Sequence, residues 1–160
     1  MWLTNSDIEQ FYRTKDRNLQ ISLLYLLSIN EITLMSDNLV KIENVIRIYL
    51  DLLYKGDIGL IESVFFQEAT VSSVSDGKII SINMDGFRER IATRSSPESV
   101  GETRQDKIIM IDISSPTTAI VKVECMILKN HYTDYLSLIK VSEKWGIISK
   151  VFHMKHGTKV

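Results

Sequence analysis

Apolar residues recur along this chain with two different periods, and the change from one to the other organises it. From Leu39 to Lys55 they fall at Ile42, Val45, Ile46, Tyr49, Leu52 and Leu53, the i, i+3, i+4, i+7 spacing that gives a helix one buried stripe. Ser36 or Asp37 is placed to cap this helix, and Gly56 supplies a left-handed stop. Asp57 can cap a second, short helix that turns Leu60, Ile61, Val64 and Phe65 inward. ATVSSV then predicts a strand, with SDGK as its turn and IISIN as a short following strand. Asn83 or Asp85 can cap a third helix, whose Met84, Phe87 and Ile91 return to helical spacing.

Beyond the polar loop SSPESVGETR the period shortens to two. DKIIMIDIS, TTAIVKVECMILK and HYTDYLSLIKVSEKWGIISKVF alternate strongly and are rich in β-branched residues, and the last divides at SEKWG into two strands. Helices therefore come first and antiparallel strands last, which predicts an α+β domain with helices on one face of a sheet. If that sheet curves, the face under the helices encloses a blind, cone-like pocket.

The first 34 residues are a different case. Ser6, Asp7 and Glu9 form a capping-box start for a short leading helix. The apolar run Leu19 to Leu27 has nine residues and contains Gln20 and Ser22, against the roughly 18 needed to span a bilayer. It also lacks a small-x-small cleavage site, so neither a membrane span nor export is expected. Met35 opens MSDNLVKIENVIRIYL and reads like a protein start. Residues 1–34 are thus either an extension from an upstream start or a packing helix, and residues 35–160 form the domain.

Composition narrows the function classes. The 19 basic and 20 acidic residues nearly cancel, so no global field draws in a nucleic acid. Arg88, Arg90 and Arg94 cluster, and the simplest reading of them is the solvated face of the third helix. The single cysteine, Cys125, permits no internal disulfide and no cysteine-rich zinc site, and its apolar surroundings predict a buried, inert thiol. His153 and His156 would share a face only if the tail were helical. HMKHGTKV reads instead as a fraying end, so no metal site is expected. No Gly-rich phosphate loop or nucleophile elbow is present, and no cofactor is called for. A cytoplasmic setting is expected.

The order of elements, with IENVIRIYLDLLYKGD, then VFFQEA, and above all YTDYLSLIKVSEKWGIISKVF, resembles the nuclear transport factor 2-like superfamily. Within it the chain is similar to the branch named for lumazine binding, a relative of the SnoaL-like and ketosteroid-isomerase-like proteins. The resemblance covers about residues 38 to 155. It implies a curved antiparallel sheet wrapped by three helices, a pocket for a small apolar or aromatic molecule, and a homodimer formed through the sheet. Members of this branch often carry His directly after the Phe that follows the second helix. Here Phe66 stands in that place and would make an apolar wall.

Alternation sorts the polar candidates. Tyr132, Asp134, Leu136 and Leu138 share one strand face, and Thr133, Tyr135, Ser137 and Ile139 share the other. An Asp within a strand needs a partner or a job. As a catalytic group Asp134 would move a proton on a bound ligand in the apolar cone, with Tyr49 or Tyr132 stabilising the charge that develops, as in an isomerase or dehydratase. As a structural group it would pair with Lys122, Lys129 or Arg104 on a neighbouring strand, and this is the commoner arrangement. Tyr49, Phe65, Phe66, Met84, Phe87, Tyr132 and Asp134 are the expected ligand-binding residues. Three functions stay open: a small-molecule binder without catalysis, an isomerase or dehydratase, and a non-enzymatic interaction module that uses its sheet face.

Overall fold

A computed structural model describes residues 17–157; the leading helix expected from Ser6, Asp7 and Glu9 lies outside them. The first helix, α1 (Arg17–Lys55), passes through Met35 to Asp37 without a break. No Gly or Pro occurs between its ends, so nothing interrupts the backbone where a cap at Ser36 or Asp37 is expected from sequence. The chain divides into two compact units at Leu39 and Val40. In the first, Ile21, Leu24, Tyr25 and Ile32 are exposed. No described helix is long and apolar enough to cross a membrane.

The second unit opens with the predicted stripe. Ile42, Ile46, Tyr49, Leu52 and Leu53 are buried, at about 1.5–3 kcal/mol for each large side chain removed from water. Gly56 ends the helix at φ 69°, its N–H donating to Leu52 O at 2.9 Å. A 3₁₀ turn, Ile58–Leu60, is capped by Asp57 and runs into α2 (Ile61–Val64), and Phe65 already belongs to β1 (Phe65–Ser75) rather than to the helix. Then follow β2 (Lys78–Ile82) and α3 (Met84–Thr93), the latter capped by Asn83. The remaining strands are β3 (Asp106–Ser115), β4 (Thr118–Ile127), β5 (Asn130–Val141) and β6 (Lys144–Lys155).

These strands form one curved, unclosed six-stranded sheet in the order β2-β1-β6-β5-β4-β3. The α+β class and the helix-first order are as the periodicity indicated. The sheet is mixed rather than wholly antiparallel, because β1 and β6 pair in parallel. Such a pairing needs a long connection, and here everything between the first and last strands supplies it. Three two-residue turns, Asp76–Gly77, Leu128–Lys129 and Ser142–Glu143, have positive φ at both positions. That conformation matches the twist of the hairpins they close.

The C-terminal stretch does not fray where the sequence suggested. β6 continues through His153, Met154 and Lys155, paired with Thr133, Tyr132 and His131. His156 contacts Asn130 Oδ1 at 3.2 Å. The two histidines sit on and just beyond a strand, not on one face of a helix.

One irregularity in β6 changes which of its residues face inward. Leu138 pairs with Ile147 and Ser137 with Ser149, so Ile148 is an extra residue, a β-bulge. Trp145 and Ile147 are buried before it, and Lys150 is buried after it, while Val151 is exposed. The bulge shifts the inward positions from odd numbers to even ones.

Candidate functional site

The inner face of β5 carries Asp134, Leu136 and Leu138, all fully buried, whereas Tyr135 is exposed on the outer face. The two-residue period thus separates Asp134 from Tyr135 as expected. Asp134 stands directly between Val123 on β4 and Phe152 on β6. Lys150, one step along β6 on the same face, reaches it diagonally, with Nζ 2.8 Å from Oδ2. Tyr49 completes the group from α1, its hydroxyl donating to Asp134 Oδ2 at 2.6 Å and accepting from Lys150 Nζ at 2.5 Å.

The triad is closed on itself: ammonium to phenol, phenol to carboxylate, ammonium to carboxylate. Burial, reinforced by the neighbouring Asp134 charge, holds the Tyr49 phenol well above its usual pKa, so it stays a donor. Aromatic rings wall the charges in. Lys150 Nζ lies 5.2 Å from the Tyr49 ring centre and 5.0 Å from that of Phe152. Asp134 Oδ1 is buried with no hydrogen-bond partner among the described residues.

The cross-strand partner of Asp134 is therefore a lysine, though none of the three named from sequence. Arg104 is taken by Asp51 and Asp106. Lys122 lies over the outward-facing Tyr135 ring. Lys129 sits in the β4–β5 turn. Simple alternation from Trp145 and Ile147 points Lys150 to solvent, and only the bulge at Ile148 turns it inward.

Beside the triad is a hollow of about 110 Å³. Its apolar lining comes from Leu53 of α1, Phe87 and Ile91 of α3, Ile127 and Leu128 at the end of β4, and Phe152 of β6. Its polar lining is Arg90, Arg94, Asn130, Tyr132 and Lys150. Of the residues singled out from sequence, Phe87 and Tyr132 line this hollow. Tyr49 and Asp134 lie one side chain away, behind Lys150. Phe65 and Met84 are core residues, Phe65 bridging Tyr49 and Phe87 edge to face at 5.8 and 5.4 Å. Phe66 is turned elsewhere: a Cβ on Gly146 would fall 2.6 Å from its ring, and Lys144 Nζ lies 5.9 Å from its centre.

The arginine cluster is also not one solvated face. Arg88 pairs with Glu62 at 2.9 Å. Arg94 lies just past the end of α3 and folds inward, Nη2 donating to Leu53 O at 2.8 Å. Burial pulls its pKa below the ordinary value, and it remains a cation at any physiological pH. Burial raises the Tyr132 phenol pKa, against the opposing pull of the Arg94 and Arg90 charges. Buried Cys125 is pushed up to about 12 and holds its proton.

Residues 37–153 match the family described as "Putative lumazine-binding", and the chain belongs to that family, within the nuclear transport factor 2-like superfamily. Among solved structures it is similar to a nuclear transport factor 2-like protein of unknown function from Shewanella baltica OS155. That likeness has 25% identity and a TM-score of 0.69, and covers 75% of this chain and 95% of that one. A protein of the same description from Silicibacter pomeroyi DSS-3 gives 19% identity and a TM-score of 0.68, over 76% and 98% of the two chains. A ketosteroid isomerase-like protein from Erwinia carotovora atroseptica SCRI1043 shares the fold at 12% identity and a TM-score of 0.57, over 72% and 94%. Among curated proteins, 41 residues are 49% identical to aldolase FrzH of Cladobotryum sp., over 24% of this chain and only 33% of that protein. The family supports a ligand-binding domain.

Proposed function

We propose that the domain binds a small, largely apolar or aromatic molecule in the hollow between α3 and the inner face of the sheet. The carrying observation is the lining itself: Phe87, Ile91 and Phe152 offer apolar walls, and Tyr132 and Lys150 bring polar groups to the same space. Few convergent polar groups in an apolar recess are the usual make-up of a ligand site. The hollow, of about 110 Å³, is partly open to solvent, so a single-ring molecule seats part of its surface there and leaves the rest outside. Single-ring fragments added to ¹³C-labelled protein are expected to shift the Phe87, Tyr132 and Phe152 ring resonances first. Shifts confined to the outer face of the sheet would sink the reading.

A second reading is proton transfer on that ligand, favoured by the buried triad next to the hollow and by the short match to a protein named an aldolase. Asp134 and Tyr49 do not line the hollow, so an isomerase or dehydratase mechanism using them would route its proton through Lys150, with Tyr132 polarising the ligand. Deuterium uptake from D₂O at carbon next to the carbonyl of a small ketone, lost in Asp134→Asn, is the expected sign. The outer sheet face is proposed to form a homodimer, since Tyr135 and Val151 are exposed side by side on paired strands. A single buried thiol suits a reducing, cytoplasmic setting.

A further inference from the structure

Two of the three cations that line the hollow have no anion beside them among the described residues. Lys150 is neutralised by Asp134, but no carboxylate lines the hollow, and Arg90 and Arg94 have no ion-pair partner among the described residues. Arg94 is the informative one. Its Nη2 is spent on the Leu53 carbonyl, while its Nη1 is buried with no hydrogen-bond partner among the described residues. A guanidinium N–H left unmet where water does not reach it is costly, because the group gives up water and receives nothing in return. Arg94 shares the hollow with Tyr132 and Asn130 and with the apolar side chains of Phe87, Ile91 and Phe152.

We propose that the hollow recognises a small organic carboxylate, its charged head held by Arg94 with Arg90 and its apolar body packed on Phe87, Ile91 and Phe152. The proposal rests on the reading of the hollow as a ligand site and adds to it the charge of the ligand. A carboxylate supplies what is missing, an acceptor for the Arg94 guanidinium and a negative charge in a hollow that holds cations and no acidic side chain. A recess of about 110 Å³ can surround a small head group but not a bulky polyanion. The head is planar and small, as a guanidinium fork prefers.

Benzoate and benzamide separate the two layers of this reading, since they share a shape and differ in charge. Titrated into the full chain at low salt and followed by the Phe87 and Tyr132 ring resonances, benzoate is expected to bind at least about tenfold more tightly than benzamide. Arg94→Gln removes that preference, so that benzoate binds no more tightly than benzamide. Arg90→Gln, at an exposed position, reduces the preference in the same direction. Equal binding of the two probes, with no effect of either substitution, overturns the carboxylate and leaves the ligand site standing. Failure of both probes to shift these rings overturns the site itself and the carboxylate with it.

Discussion

The two faces of the sheet each depart from the usual arrangement. Its inner face buries a carboxylate and an ammonium, Asp134 and Lys150, among apolar side chains, while its outer face exposes Tyr135, Val151, Val74 and Ile79 to solvent. Scattered exposed apolar residues are common and require no explanation one by one, whereas a fully buried charge does. The inner face is therefore the one that constrains stability, and the outer face is the one free to be used for association. Substitutions on either face test that contrast.

The largest effect is expected from breaking the pair on one side. Lys150→Met leaves the buried Asp134 carboxyl without its cation and held only by Tyr49, and should cost about 3–5 kcal/mol in urea unfolding. Replacing both partners, Asp134→Leu with Lys150→Met, should recover most of this loss, because a buried pair roughly balances its own desolvation. A double variant as unstable as the single one would show that the triad organises the fold in some other way. Retained stability with lost binding of a ring fragment would show that the charges serve the hollow.

Tyr49→Phe should be milder, because Lys150 and Asp134 remain 2.8 Å apart without the phenol. Loss of its two hydrogen bonds should cost about 1–3 kcal/mol, read by the same unfolding curve. A cost as large as that of Lys150→Met would mean that the phenol, not the ammonium, is what makes the buried carboxylate tolerable.

Cys125 gives a smaller, pH-dependent effect. Its thiol is raised from 9.0 to about 12, chiefly by burial. Below about 9 both folded and unfolded thiols are protonated and the group costs nothing. Between about 9 and 12 only the unfolded chain ionises, so stability drains as pH rises. Between pH 8 and 10 the wild type should lose about 1 kcal/mol more than Cys125→Ala. Equal alkaline losses in the two proteins would mean that the thiol is not held protonated by the inner face.

How much of this inner face is legible in the sequence depends on the regularity of each element. Alternation places Asp134 and Tyr135 on opposite faces because β5 is regular across both, and helical spacing places Tyr49 inward for the same reason. Lys150 is hidden by one inserted residue, Ile148, which reverses the parity of β6 and leaves no mark in a pattern of hydrophobic and polar letters. Arg94 is hidden by a boundary: grouped with Arg88 and Arg90 it looks like helix surface, but α3 ends at Thr93 and the extended backbone at Arg94 points the side chain another way. The parallel pairing of β1 with β6 joins segments far apart in sequence, and local periodicity carries no information about such a contact.

The smallest change in stability is expected on the outer face. Val151 is 52% exposed and Tyr135 45%, and they pair across β5 and β6 with Lys122 beside the tyrosine ring. Val151→Lys removes little buried area, so unfolding should move by no more than about 0.5 kcal/mol when the protein is dilute. If this face joins two copies, the same substitution places a second like charge at the centre of the contact and should convert dimer to monomer in sedimentation velocity. A monomeric wild type would remove association from the outer face, and a dimer that survives Val151→Lys would move the contact elsewhere. Either result would leave the buried Asp134–Lys150 pair of the inner face as the feature of this sheet that calls for an explanation.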